Sequence, residues 1–148
     1  MKKRSAIILI SGLLGFGGSV TGWIVAKRNA QREWPWKQLQ NAVTLGAALS
    51  THRQNHGSYP ARLEDLVAGG TLNQEAFEKL QFRGGPHADP ERWLYMMPDQ
   101  ISDIAIVGPT AVFPWDGHSG YTVTAQADGG GELIPRAKRK QIPAWATK

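Results

Sequence analysis

Two histidines four residues apart form the most chemically suggestive pair in the chain. His52 and His56 fall near the end of a stretch with helical periodicity, so both imidazoles would lie on one face and could bind one zinc ion. His87 or Asp89 could supply a third ligand. The chain has no HExxH motif and no cysteine, and two polar residues at the exposed end of a helix explain the pair more simply. We predict no metal site and no cofactor.

A second candidate is the run Asp116-Gly117-His118-Ser119, which offers a carboxylate, a base and a hydroxyl side by side. The members of a hydrolase triad are usually distant in sequence and are recognised by their geometry after folding. Adjacency therefore favours a tight turn over a catalytic site. We predict that the protein is not an enzyme.

Carboxylates in the C-terminal half could instead bind calcium, which prefers oxygen ligands. No loop of the D-x-D-x-D-G type is present. Aspartate is also common in turns, because its side chain bonds to nearby backbone N–H groups. Turn formation is the favoured role of the four residues, which are Asp99, Asp103, Asp116 and Asp128.

Residues 6–26 form an uncharged apolar run with basic residues on both sides. If this run crosses a membrane, it sets where the rest of the chain lies relative to that membrane. As a helix this run would be about 30 Å long, which matches the hydrocarbon core of a bilayer. We predict an N-terminal membrane anchor, a transmembrane helix, over residues 1–28. The alternative is a cleaved secretory signal, although the run lacks a small-x-small cleavage pattern at its end.

Small residues recur at helical spacing inside this run. Such residues let a second helix approach closely within lipid, although glycine is also simply frequent in membrane helices. The predicted helix-packing residues form two rows, Ser11, Gly15 and Ser19 in one and Gly18 and Gly22 in the other.

Residues 29–135 are predicted to form one globular α+β domain. Hydrophobic residues make up 41% of the chain and charged residues 20%, a composition typical of folded proteins. Apolar spacing of 3.6 predicts an amphipathic helix over residues 36–54, and shorter helices over 63–67 and 74–80, the latter capped by Asn73. Three to four short strands are expected, at 104–107, 121–125 and 132–134 and in the compact apolar segment 93–97, with a turn at 128–130. The amphipathic helix would pack on a small antiparallel sheet.

The last segment, residues 136–148, is a basic tail. It contributes much of the formal net charge of +5. Binding to anionic lipid headgroups or nucleic acid is one interpretation. No aromatic residue interleaves the charges of residues 136–140, so the sequence favours a solvated, frayed terminus and no nucleic-acid partner.

The residues that follow the amphipathic helix are the most distinctive. Arg53-x-x-x-Gly57-x-Tyr59-Pro60-x-x-Leu63-x-x-Leu66 has a physical logic. Gly57 lets the chain reverse, Tyr59 covers the helix, Pro60 fixes the exit, and Leu63 and Leu66 hold the next turn against the core.

Together with the anchor, the long helix and the final hairpin, this stretch resembles the pseudopilins of type II secretion systems and related type IV pilin-like proteins. That family is processed between a Gly and a Phe, with a Glu five residues into the mature chain. Gly15-Phe16 is present here, but its leader would contain the apolar residues 7–10, and Val20 takes the place of the Glu. A recognisable prepilin peptidase site is therefore missing.

The resemblance implies a non-enzymatic, membrane-anchored assembly subunit of an envelope secretion or pilus-type system. Its expected partners are other membrane or pilin-like subunits and the lipid bilayer. The expected location is the bacterial inner membrane, with a single pass and an extracytoplasmic C-terminal domain. The alternative is an uncleaved single-pass accessory subunit of a larger membrane complex, which would dock through its transmembrane helix.

Overall fold

The computed structural model describes residues 33–85, 87–109, 111–112 and 120–147. The predicted anchor lies outside these residues, and so do its proposed helix-packing positions Ser11, Gly15, Gly18, Ser19 and Gly22. The described chain is α+β and consists of helices and two antiparallel sheets.

The predicted fold class needs correction because it combined a transmembrane helix with one small sheet. Among the described residues no helix has both the length and the apolar character needed to cross a bilayer, and the strands form two sheets. The longest described helix is amphipathic: Lys37, Gln40 and Thr44 are exposed, whereas Leu45 and Leu49 are buried. Its apolar face is therefore used to cover the domain's own core.

This helix, α1, occupies residues 33–56. Its buried positions recur every three or four residues, as an amphipathic helix requires; they include Gln38, Ala42, Leu45, Leu49 and His52. Two hydrogen bonds tie it to residue Arg83. Trp34 Nε1 donates to the Arg83 carbonyl at 2.7 Å, and the Arg83 N–H donates to Gln38 Oε1 at 3.0 Å.

Two short helices follow, α2 (Asp65–Ala68) and α3 (Gln74–Lys79). The predicted cap of α3 is confirmed, since Asn73 Oδ1 accepts a hydrogen bond from the Ala76 N–H at 2.7 Å. A cap of this kind satisfies one of the free N–H groups at a helix start.

The smaller sheet pairs β1 (Phe82–Arg83) with β2 (Pro90–Glu91). The larger sheet contains five strands: β3 (Leu94–Tyr95), β4 (Ile104–Val107), β5 (Ala111–Val112), β6 (Gly120–Gln126) and β7 (Gly131–Pro135). Its order is β3-β4-β6-β5, and β7 also pairs with β6. Because β3 pairs with β4 alone among the described strands, it forms an edge of this sheet.

Helix α1 lies against the β6–β7 hairpin. A Cβ added to Gly46 would overlap the Gln126 carbonyl oxygen, and one added to Gly131 would lie 2.8 Å from Val43 Cγ2. The turn itself uses Gly129 at φ +90°, a left-handed conformation that glycine adopts without steric cost. The Gly130 N–H donates to Asp128 Oδ1 at 2.7 Å.

The large sheet has a hydrophobic cluster on each face. Neighbouring residues of a strand point to opposite faces, and Leu133 accordingly joins the main core under α1, whereas Ile134 joins a second cluster with Val107 and Ile142. Residues after β7 form two 3₁₀ segments, Arg136–Gln141 and Ala144–Ala146. The tail is thus packed on the domain through Ile142, in contrast to the frayed terminus favoured by its sequence.

Candidate interaction surface

The distinctive segment after α1 forms part of the core. Gly57 has φ +82° and its N–H donates to the Arg53 carbonyl at 2.8 Å, which ends the helix. Tyr59 is buried, and Arg53 both stacks over its ring at 4.9 Å and donates from Nη1 to its hydroxyl at 3.1 Å. Pro60 is buried as well, and Leu63 and Leu66 complete the packing. These residues hold α1 against the strands.

The edge strand β3 is attached to the same segment. The Tyr95 hydroxyl donates to the Pro60 carbonyl at 2.7 Å. Burial is the main reason that the pKa of Tyr95 is raised well above its usual range, and the nearby Tyr59 and Asp65 raise it further. The hydroxyl therefore stays protonated and can keep donating this hydrogen bond.

The histidine pair links the end of α1 to the loop after α2. His56 Nε2 lies 3.1 Å from the Gly69 carbonyl oxygen and His52 Nδ1 lies 3.2 Å from Thr71 Oγ1. The ring centroids are 4.3 Å apart. Burial, reinforced by His56, lowers the pKa of His52, and Asp65 opposes the shift. Within the described part of the chain, no three His, Asp or Glu side chains are grouped to hold a metal ion.

Two of the candidate calcium ligands serve turns. Asp103 Oδ2 accepts from the Gln100 N–H at 2.8 Å, and Asp128 Oδ1 accepts from Gly130 as described above. Asp116 and its neighbours Gly117, His118 and Ser119 lie outside the described residues. Asp103 and Asp128 thus stabilise local backbone geometry.

An exposed apolar surface runs along the sheet edge at β3. We define this β3-edge surface by four side chains with exposed fractions of 44–54%: Leu94, Met96, Met97 and Ile101. The sequence did not single out Leu94 or Ile101, although the alternation of Trp93, Leu94 and Tyr95 along a strand is a signal for an outward Leu94.

Hydrogen bonds on the inner side of β3 fix this orientation. Trp93 is buried, donates from Nε1 to the Leu80 carbonyl at 2.7 Å, and meets Phe82 edge to face with centroids 5.1 Å apart. With Trp93 and Tyr95 held inward, Leu94 must point outward.

A cleft of about 420 Å³ opens beside the β3-edge surface. It is lined by side chains from the loop after β3 and from the C-terminal segment, which are Met96, Met97, Pro98, Asp99, Ser102, Asp103, Ile104, Gln126, Pro143 and Trp145. The edge strand and this cleft together form a surface that has apolar side chains and a strand edge without a partner among the described strands.

No family model matches the chain, and no curated protein or solved structure shows significant similarity to it.

Proposed function

We propose that this protein is a non-enzymatic, pilin-like assembly subunit that binds neighbouring subunits through its β3-edge surface. The observation that carries the proposal is the concentration of exposed apolar side chains at one edge of the large sheet. Grouped apolar side chains on a surface mark sites of protein interaction.

The architecture supports the same proposal. A long amphipathic helix that precedes the antiparallel strands agrees in order with the pseudopilin resemblance, and the segment from Gly57 to Leu66 follows that helix directly. The buried tyrosine and proline there make a rigid scaffold, so the β3 edge has a fixed position relative to the helix.

The chemistry of the surface also suits a subunit contact. Met96 and Met97 are unbranched and polarisable, and such side chains adapt to differently shaped partners. Leu94 lies on a strand that pairs with β4 alone among the described strands, and an unpaired strand edge can bind an additional strand.

The test introduces positive charge on this surface. We expect the double variant Leu94→Lys/Met97→Lys to lose its partners, because burying two ammonium groups in an apolar contact is unfavourable. The full-length protein is extracted from its source cells in a mild uncharged detergent, and the size of its complexes is measured by size-exclusion chromatography with light scattering.

The matched control adds two lysines at exposed polar positions on α1 and α3, Gln54→Lys/Gln74→Lys. This control should keep the complexes of the unchanged protein. The proposal fails if the β3-edge variant keeps the same complexes while its circular dichroism shows an intact fold, or if the control disrupts them equally.

A further inference from the structure

The first 3₁₀ segment, Arg136–Gln141, carries the densest charge of the described chain. Its four cationic side chains, Arg136, Lys138, Arg139 and Lys140, are all exposed. The only ion pairs among the described residues are Arg62 with Asp65 and Lys79 with Glu75. No acidic residue follows Glu132 in the sequence. Within the described residues, none of the four cations therefore forms an ion pair with a carboxylate.

This basic segment has a fixed place on the domain. The Ile142 N–H donates a hydrogen bond to the Arg139 carbonyl at 3.0 Å. Ile142 is only 8% exposed and packs with Val107 and Ile134 on the second face of the sheet. Because a buried isoleucine holds the segment, the charges are displayed from an ordered surface.

An aromatic side chain adjoins the charges. Trp145 is partly buried against the same cluster and also lines the cleft that contains Met96 and Met97. Tryptophan is favoured at the headgroup level of a bilayer, where its ring is in an apolar setting and its N–H meets water. Basic side chains beside an apolar edge are typical of surfaces that lie on anionic membranes.

From these features we propose that residues 136–146 bind the anionic headgroups of a lipid surface. Nucleic acid fits the segment less well, since no aromatic side chain lies among the four cations to stack with bases. The proposed contact adjoins the β3-edge surface at the cleft that Trp145 and Met97 both line, but it does not depend on the subunit contact.

The expected strength follows from the charge. Each Lys or Arg close to an anionic membrane contributes about a fivefold gain in binding. Removing two of the four cations should therefore weaken binding about 25-fold, and added salt should weaken it further, because exposed charges are screened.

A local fluorescent label can test this in the full-length protein. The chain has no cysteine, so Ala144→Cys, at an exposed position between Ile142 and Trp145, carries a single environment-sensitive dye. The labelled protein is kept in an uncharged detergent, and phosphatidylglycerol or phosphatidylcholine is titrated into the micelles. We expect a blue shift of the dye emission with phosphatidylglycerol only.

The decisive variant is Lys138→Gln/Arg139→Gln, which should raise the phosphatidylglycerol concentration at the midpoint about 25-fold. The matched control, Lys79→Gln/Arg92→Gln, removes the same charge at exposed positions elsewhere and should leave the midpoint within about twofold. A duplex oligonucleotide is titrated in parallel. The proposal is overturned if the tail variant keeps the original midpoint, if the control shifts it equally, or if only the oligonucleotide changes the emission.

Discussion

Replacing Gly46 by alanine tests how closely α1 approaches the β6–β7 hairpin. A Cβ at this position would overlap the carbonyl oxygen of Gln126 and lie 3.4 Å from Gly129 Cα. Both neighbours are backbone, so no flexible side chain can move aside. The Gln126 carbonyl also accepts a hydrogen bond from the Gly129 N–H at 3.2 Å, and displacing it would disturb the turn.

The magnitude follows from three contributions. Overpacking a well-packed contact costs about 1–3 kcal/mol. Weakening the turn hydrogen bond adds about 1 kcal/mol. Alanine regains about 1 kcal/mol because it favours the helix more than glycine does. The net expectation is a loss of about 2 kcal/mol in the free energy of unfolding, or roughly 8 °C in Tm at about 4 °C per kcal/mol.

The assay is urea denaturation of the full-length protein in mild detergent, followed by circular dichroism. Gly84→Ala is the matched control: its added Cβ would meet only Glu91 Oε1 at 3.9 Å, and its φ is not positive. That variant should stay within about 0.5 kcal/mol of the unchanged protein. If Gly46→Ala is as stable as the unchanged protein or more stable, the close approach of α1 to the hairpin is refuted.

Three further predictions concern stability in the same assay. His52 has a lowered pKa in the fold, so below about pH 6.5 the unfolded chain binds more protons and stability falls with falling pH; His52→Gln should flatten this profile, and an unchanged profile would contradict the assignment. Gly57→Ala should cost about 1–2 kcal/mol, since φ is +82° with open space around the added Cβ; the Gly84→Ala control should cost nothing comparable. Ile142→Ala should cost about 2–5 kcal/mol and, in a separate digestion, speed tryptic cleavage of the tail; unchanged stability and cleavage would contradict packing of the tail through Ile142.

Local patterns predicted much of the fold. The strand expected at 104–107 matches β4, and the hairpin expected around 128–130 is present with Gly129 in the left-handed conformation. The α1 helix extends beyond the expected 36–54 and is amphipathic, as its apolar spacing predicts. These elements are specified by periodicity and turn chemistry that lie within a few residues of one another.

Other features depend on contacts between distant parts of the chain. The strands β1 and β2 contain two residues each, and Pro90 disfavours a strand assignment. The packing of the tail rests on Ile142, whose partners Val107 and Ile134 are known only once the sheet is formed. The apolar run 93–97 did not decide whether Met96 and Met97 are exposed or buried, because a short apolar run also describes a buried strand.

The candidate site also combines features that local sequence predicts with features that depend on distant contacts. The role of the segment after α1 could be argued from Gly57, Tyr59 and Pro60 alone, since turn geometry and ring packing are local properties. The β3-edge surface required the topology, because only the strand order shows that β3 has one partner among the described strands. The predicted inner-membrane location remains a prediction.

The most direct test of the proposed assembly role is site-specific cross-linking in the source cells. Met97→Cys would be the only cysteine of the chain, and a short bifunctional thiol–amine reagent would join it to whatever touches the β3-edge surface. We expect Met97→Cys to give defined cross-links to another subunit and the control Gln54→Cys, exposed on α1, to give none. Cross-links from Gln54→Cys but not from Met97→Cys would contradict the β3 edge as the subunit interface.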